Sequence, residues 1–478
     1  MKPSRVVVAA GALAVSVALG ATLVVPAGAS SALPALVSDN PVNYTPNVTG
    51  SACYSGTDPT LCRRILDIAR IGNTVYAGGV IGAVKNANGT SAGTYGNAVA
   101  FNALTGAVKT DFRPAFVGAS GQIYDGQVNA VERNTEGTAV WLGGEFKKLN
   151  GAGARGLVRW DVASNALYSA FQPKIGADGG AARVYDVKFF CGRLWVAGNF
   201  TSAGGVARRA LVSLDPTTGA ATDQVNLGIS GTAGASSGPT RVFKIAPSPD
   251  CRRVVIIGNF TQISGKERYQ AAVLNVEPTT GVATLAPWYS PYHLRASQPG
   301  VGSNPCSADS VPVWGRDVDW APDGTWWALA TTGGHHPYPT LCDSVSRWTN
   351  NDSTDARPVW INYSGGDTFM SVRVTGSHVY VGGHFRYLDH AVYRAGTKVY
   401  AGPGHVHYGL GALYATLTSG MAVPSWNDGT STARGAGWTA MLVTSGGAGT
   451  ASGLWVGGDD SRISGESGKR IALLPLYP

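Results

Sequence analysis

The chain has 478 residues, 44% hydrophobic and only 14% charged, with 65 glycines. That supplies a large core, and low charge with much glycine suits a β-protein with many turns better than a helical or disordered chain. The formal net charge of +8 comes from dispersed arginines with no basic run interleaved with aromatics. This excludes a nucleic-acid surface and leaves two readings, solvated surface charge or attraction to acidic polysaccharide or a phosphate-bearing bacterial wall.

Residues 1–30 read as a signal peptide: Lys2 and Arg5 precede an apolar stretch from Val6 to Val25, then Pro26 and Ala27-Gly28-Ala29. The stretch is long enough to serve as an anchor, but Pro26 and the small-residue site favour cleavage. The mature protein is expected outside the cell, a monomer without a membrane segment.

From there a short apolar run breaks repeatedly into glycine: Val75-Tyr-Ala-Gly-Gly79, Val140-Trp-Leu-Gly-Gly144, Leu194-Trp-Val-Ala-Gly198, Val255-Ile-Ile-Gly258, a degraded Trp326-Trp-Ala-Leu329, Val379-Tyr-Val-Gly-Gly383 and Leu454-Trp-Val-Gly-Gly458. Anchored on Gly78, Gly143, Gly198, Gly258, Leu329, Gly382 and Gly457, the spacing averages about 63 residues. Each unit holds several short strands and buries its faces only by stacking on neighbours. The spacing predicts an all-β fold, a single seven-bladed β-propeller over residues 31–478 built of four-stranded antiparallel blades. The blades cover about 63–116, 124–175, 183–229, 241–291, 316–362, 368–428 and 437–478. Several units end in aromatic-x-Pro, as in Phe112-Arg-Pro114 and Phe171-Gln-Pro173. The last lacks a fourth strand, and Tyr44-Thr-Pro46 within residues 43–48 is expected to complete it and close the ring.

Gly144-Glu-Phe146, Gly198-Asn-Phe-Thr201, Gly258-Asn-Phe-Thr261 and Gly383-His-Phe385 resemble the Gly-Gly-x-Phe-Thr element of secreted β-propeller proteins of the delta-60-repeat type. The resemblance implies the fold and supplies no mechanism, since many such proteins have no assigned activity.

Turns between strands one and two, and between three and four, are short and share one face. The opposite face carries long loops, among them 79–96, 292–315, 331–341, 386–409 and 428–437, and is the expected binding surface. On this map the six cysteines pair as Cys53–Cys62, Cys191–Cys251 and Cys306–Cys342.

All eight histidines lie between His293 and His407. His335, His336, His384, His390, His405 and His407, with Tyr338 and Tyr387, are ligand-binding candidates, as are Trp314 and Arg316. His405-x-His407 offers two ligands to a transition metal, and a histidine beside a tyrosine offers a general base. No cofactor is predicted, and plain loop packing competes with each role. The same long-loop face holds Tyr289, Tyr292, Trp426 and Trp438, whose flat rings suit sugar or peptide recognition.

Arg64, Arg183, Arg241 and Arg316 stand before first strands, each followed three residues later by Asp67, Asp186, Lys244 or Asp319, with Asn129 at the second-blade position. They form either a guanidinium ring at the channel mouth, gripping carboxylate or phosphate, or braces between blades. Gly89-Thr-Ser-Ala-Gly93 has no helix after it and is no nucleophile elbow. The function expected is a secreted binding propeller, holding a carbohydrate or cell-surface protein on the long-loop face of blades four to six. The alternatives are a His/Tyr-dependent polysaccharide-active enzyme such as a lyase, and a structural component of a cell-surface assembly.

Overall fold

The computed structural model describes residues 1, 32–49, 63–121, 125–178, 181–233, 238–293, 313–333, 340–394, 400–401, 404–416, 420–426, 435–446, 451–467 and 469–476. Among them there is no α-helix, and strands pair antiparallel. Seven sheets each begin with a hairpin: Arg64–Ile71 with Thr74–Val80, Val128–Arg133 with Ala139–Gly144, Val184–Phe190 with Arg193–Gly198, Val242–Pro247 with Arg253–Gly258, Gly315–Trp320 with Trp326–Thr331, Phe369–Val374 with His378–Gly383, and Trp438–Thr444 with Gly453–Gly458. A third strand follows in each, and the fourth shrinks in places to a single bridge such as Leu413↔Ala422.

The core lies between successive sheets. Tyr76, Val128 and Val140 pack between the first and second, while Ile65, Val75, Trp455 and Leu473 pack between the first and seventh. First strands touch in chain order, and the seventh touches the first.

The repeated glycines have two separate jobs. A Cβ on Gly78 would sit 2.6 Å from Val128 of the next sheet, and one on Gly457 2.6 Å from Ile65, so this glycine sets the spacing between sheets. A Cβ on the next residue would strike a carbonyl where the chain enters its own first strand: Gly79 at 1.9 Å from Arg64 O, Gly198 at 2.1 Å from Arg183 O and Gly258 at 2.1 Å from Arg241 O. Gly198 and Gly258 therefore correspond to Gly79 and shift by one from the register expected. The degraded fifth unit keeps the room differently. Thr331 takes the glycine position, and Gly315 faces it where other sheets have Ile65, Val184 or Phe369.

Residues 43–48 do not lie beside the last third strand, as expected. Residues 37–42 do, with Ser38 N–H donating to Pro475 O at 2.8 Å and Val42 N–H to Leu473 O at 3.0 Å. Asn47–Thr49 instead pairs with Ala83–Lys85 of the first unit. Aromatic-x-Pro follows a fourth strand, because proline lacks the N–H that a ladder needs and marks where the chain leaves.

Residues 386–409 are also not an open loop. Tyr387–Leu388 pairs with His405–Val406, and Ala391–Arg394 adds onto Trp360–Tyr363, covering the edge of the fifth sheet. Asp389 pins the segment: its backbone N–H donates to Asn362 Oδ1 at 2.9 Å, and its carboxylate accepts Ala422 N–H at 3.0 Å.

Cys191 and Cys251 form a disulfide with Cα atoms 6.4 Å apart. It ties equivalent short turns of the third and fourth sheets across a separation of 60 residues. The double substitution Cys191→Ala/Cys251→Ala is expected to cost about 2–4 kcal/mol in urea unfolding; a loss below ~1 kcal/mol would show the sheets hold without it. Cys53, Cys62 and Cys306 lie outside the described residues.

Candidate functional site

Every first strand carries one bulge, opposite the C-terminal end of the second. The register skips between Ile65 and Asp67, Val128 and Ala130, Val184 and Asp186, Val242 and Lys244, Gly315 and Asp317, Phe369 and Ser371, and Trp438 and Ala440. A bulge extrudes its extra residue and re-aims it. The seven extruded residues, Leu66, Asn129, Tyr185, Phe243, Arg316, Met370 and Thr439, all line one cavity of about 480 Å3, together with Arg183, Arg241, Lys244, Asn259, Trp314 and Gly315.

Sheets that pack in succession around one such cavity make a propeller. The fold is a β-propeller. No protein-family model matches the sequence, and no curated protein is significantly similar to it. Among solved structures, the chain is similar to the extracellular domain of BT4673 from B. thetaiotaomicron, at 8% identity and a TM-score of 0.44, over 87% of this chain. It spans only 38% of that chain's length. It is also similar to the RRP9 WD40 repeats at 9% identity and a TM-score of 0.44, over 87% of this chain and 94% of that one.

The bulge corrects the arginine alignment. Asp317, two residues before Asp319, is the counterpart of Asp67 and Asp186. Trp314 stands where Arg64, Arg183 and Arg241 stand, and Arg316 occupies the extruded position. Arg64 does not line the cavity; its Nη2 donates to Gln127 Oε1 at 3.0 Å. Arg183 lines it but pairs with Glu145 at 3.3 Å. Among the described residues, Arg241, Lys244 and Arg316 form no ion pair. Arg316 is solvent-exposed; crowding by the surrounding protein lowers its pKa, Asp343 works against that, and the guanidinium stays charged.

Rings from consecutive sheets stand beside these cations. Tyr185 and Phe243 meet at 5.8 Å between centroids, and Phe243 and Trp314 at 6.1 Å, both near perpendicular.

Deeper along the first strands the charges are paired. Each first strand has an inner edge with no strand beyond it, and on the second, fourth and sixth a carboxylate of the preceding sheet caps a backbone N–H. Asp67 Oδ2 accepts from Val131 N at 2.9 Å, Asp186 Oδ2 from Ile245 N at 2.8 Å, and Asp317 Oδ2 from Val372 N at 3.0 Å. Lys188 lies 3.3 Å from Asp186 and 3.8 Å from Glu132, and Arg373 lies 3.0 Å from Asp317. Burial pushes Glu132 up to about 7, against the pull of Lys188.

The Gly-x-Phe element packs into the core. Phe146, Phe200, Phe260 and Phe385 are fully buried. The residue before the phenylalanine ties down the chain entering the first strand: Asn199 and Asn259 accept the N–H groups of Arg183 and Arg241 at 2.6 Å each.

None of the described histidines lines the cavity. His335, His336 and Tyr338 lie outside the described residues. His384 is half-buried, its Nε2 accepting Thr368 N–H at 3.4 Å, and burial holds its pKa below the usual value. His390 packs on the Tyr387 ring at 6.3 Å. His405 is exposed, 3.8 Å from Asp389 Oδ2, whereas His407 is buried and pushed down to about 4, chiefly by desolvation. No three His, Cys, Asp or Glu converge as metal ligands among the described residues. Tyr292, Trp426 and Trp438 are buried core residues rather than recognition surfaces. Tyr289 donates its hydroxyl to Glu267 at 2.8 Å.

Sequence reasoning missed Tyr185, Phe243, Met370 and Thr439 as cavity residues, and it missed Asp343. Asp343 is 1% exposed; its Oδ1 accepts from Thr368 Oγ1 at 3.2 Å, and burial pushes it up to about 7. The available signal was the residue two beyond each entering arginine.

Proposed function

We propose that the protein is a secreted seven-bladed propeller, its last blade completed by residues 37–42, that binds an extracellular carbohydrate or cell-surface protein in the axial cavity of its long-loop face. One observation carries the reading: Arg241, Lys244 and Arg316, without ion-pair partners among the described residues, converge with Tyr185, Phe243 and Trp314 on a single cavity. Cations without a close ion-pair partner in a walled concavity attract an anionic group, and a guanidinium grips carboxylate or phosphate in two places. Adjacent aromatic faces add apolar contact and orientation. The site thus centres on the axis and on blades three to five, inward of the loops of blades four to six. Binding is by rigid presentation, with no bond made or broken.

The test is a screen of acidic and neutral glycans, wall fractions and surface proteins against the mature chain. Arg241→Ala and Arg316→Ala are each expected to weaken the ligand found by ~10-fold or more, with unfolding midpoints unchanged. Binding untouched by both substitutions would remove the cavity from the function.

A further inference from the structure

We infer that the group held in the axial cavity is a carboxylated sugar at the end of an acidic polysaccharide chain; this rests on the cavity being the binding site. The cavity is chemically lopsided. Lys244, Arg241 and Arg316 lie on the fourth and fifth sheets, with the rings of Tyr185, Phe243 and Trp314 along the same wall, while Leu66, Met370 and Thr439 offer no charge from the other side. A uronic acid matches that division. Its carboxylate projects from one edge of a flat ring whose C–H face packs on aromatic carbon. An acidic peptide side chain carries the same carboxylate but no such ring face.

The cavity also limits how much of a ligand it holds. Deeper along the first strands Lys188 is paired with Asp186 and Arg373 with Asp317. Of the cations lining the cavity, Arg241 and Arg316 stand at the bulge ring and Lys244 one step below it, level with Asp186 and Asp317, and none of the three has an ion-pair partner among the described residues. About 480 Å3 lies at the lower end of small-molecule sites, roughly 300–1,000 Å3. That suits the end of a chain rather than a long stretch of it.

The experiment is isothermal titration of the mature chain with a glucuronate disaccharide, the matching glucose disaccharide, hexaglutamate peptide and inorganic phosphate. The glucuronate is expected to bind ~10-fold or more tighter than the glucose analogue, with a strong salt dependence. Arg316→Ala and Arg241→Ala should each erase that preference. Trp314→Ala should weaken both sugars, and Arg316→Lys should restore part of the uronate affinity. Equal affinity for the acidic and neutral disaccharides overturns the inference, as does tighter binding of hexaglutamate or phosphate. No sugar binding while Arg316→Ala still weakens another extracellular ligand overturns the uronate assignment alone. Indifference of every ligand to all three alanine substitutions overturns the cavity as well.

Discussion

Asp186→Ala is expected to destabilise the protein by roughly 3–5 kcal/mol in equilibrium unfolding. Asp186 is fully buried and satisfies three donors at once: Ile245 N–H at 2.8 Å, Val187 N–H at 3.1 Å and the Lys188 ammonium at 3.3 Å. Alanine leaves the buried Ile245 N–H without an acceptor and removes the nearer of the two carboxylates around Lys188. Asn should fall between wild type and Ala, since its carbonyl still accepts one N–H while its amide hydrogens face donors. The control is Asp223→Ala. Its side chain is fully exposed, 3.7 Å from Arg208, and its loss should stay within about 0.5 kcal/mol. If Asp186→Ala cost no more than that control, the carboxylate caps would be incidental to how neighbouring sheets are held.

Asp343→Asn is expected to stabilise the protein, increasingly so as the pH rises. Burial lifts the Asp343 carboxyl from 3.8 to about 7, and the nearby Asp367 charge raises it further while Thr368 and Arg316 lower it. Between those two values the folded state binds the proton that the unfolded state has lost. Stability therefore falls as pH rises from about 4 to 7 and is level above that. The full effect reaches up to about 4 kcal/mol. Asn keeps an oxygen for the Thr368 hydroxyl and carries no charge, so the difference between variant and wild type should be near zero at pH 4 and greatest above pH 7. Glu132 at about 7 and Asp459 at about 6, both raised chiefly by burial, share the sign and remain in both proteins. A pH-independent difference in unfolding free energy would show that Asp343 is ionised when folded throughout that range.

How far the chain could be read beforehand differs from residue to residue. The recurrent Val-Tyr-Val-Gly-Gly runs are legible because strand and glycine are local requirements. Strands need branched and aromatic residues, and the glycine must admit a carbonyl at 1.9–2.2 Å from any Cβ. The Cys191–Cys251 bond was legible for the same reason, because equivalent turns of adjacent repeats are neighbours. Arg316 was misaligned by two positions, since the fifth unit moves its glycine across the strand pair to Gly315, and a pattern read along one strand does not see its partner. Residues 43–48 were assigned to the last sheet, whereas Asn47–Thr49 pairs in the first, because a proline shows that a ladder ends but not which strand comes next.

The candidate site was less legible than the fold. Trp426 and Trp438 look like sugar platforms in sequence and are buried core. Leu66 and Met370 look like core and face the cavity. Composition alone could not separate them, because one skipped register step reverses which way a side chain points.

By itself, then, the order of residues determined an all-β chain of stacked repeats, the tight turns on one face and the tie between Cys191 and Cys251. Each depends on contacts within a unit or between the same place in adjacent units. Only the tertiary structure decided that Tyr185, Phe243, Trp314, Arg241 and Arg316 share a cavity while His405 and His407 do not, and that Asp343 sits dry. Those outcomes depend on the bulges and on distant segments closing over one another, and no short stretch of sequence contains both sides of such a contact.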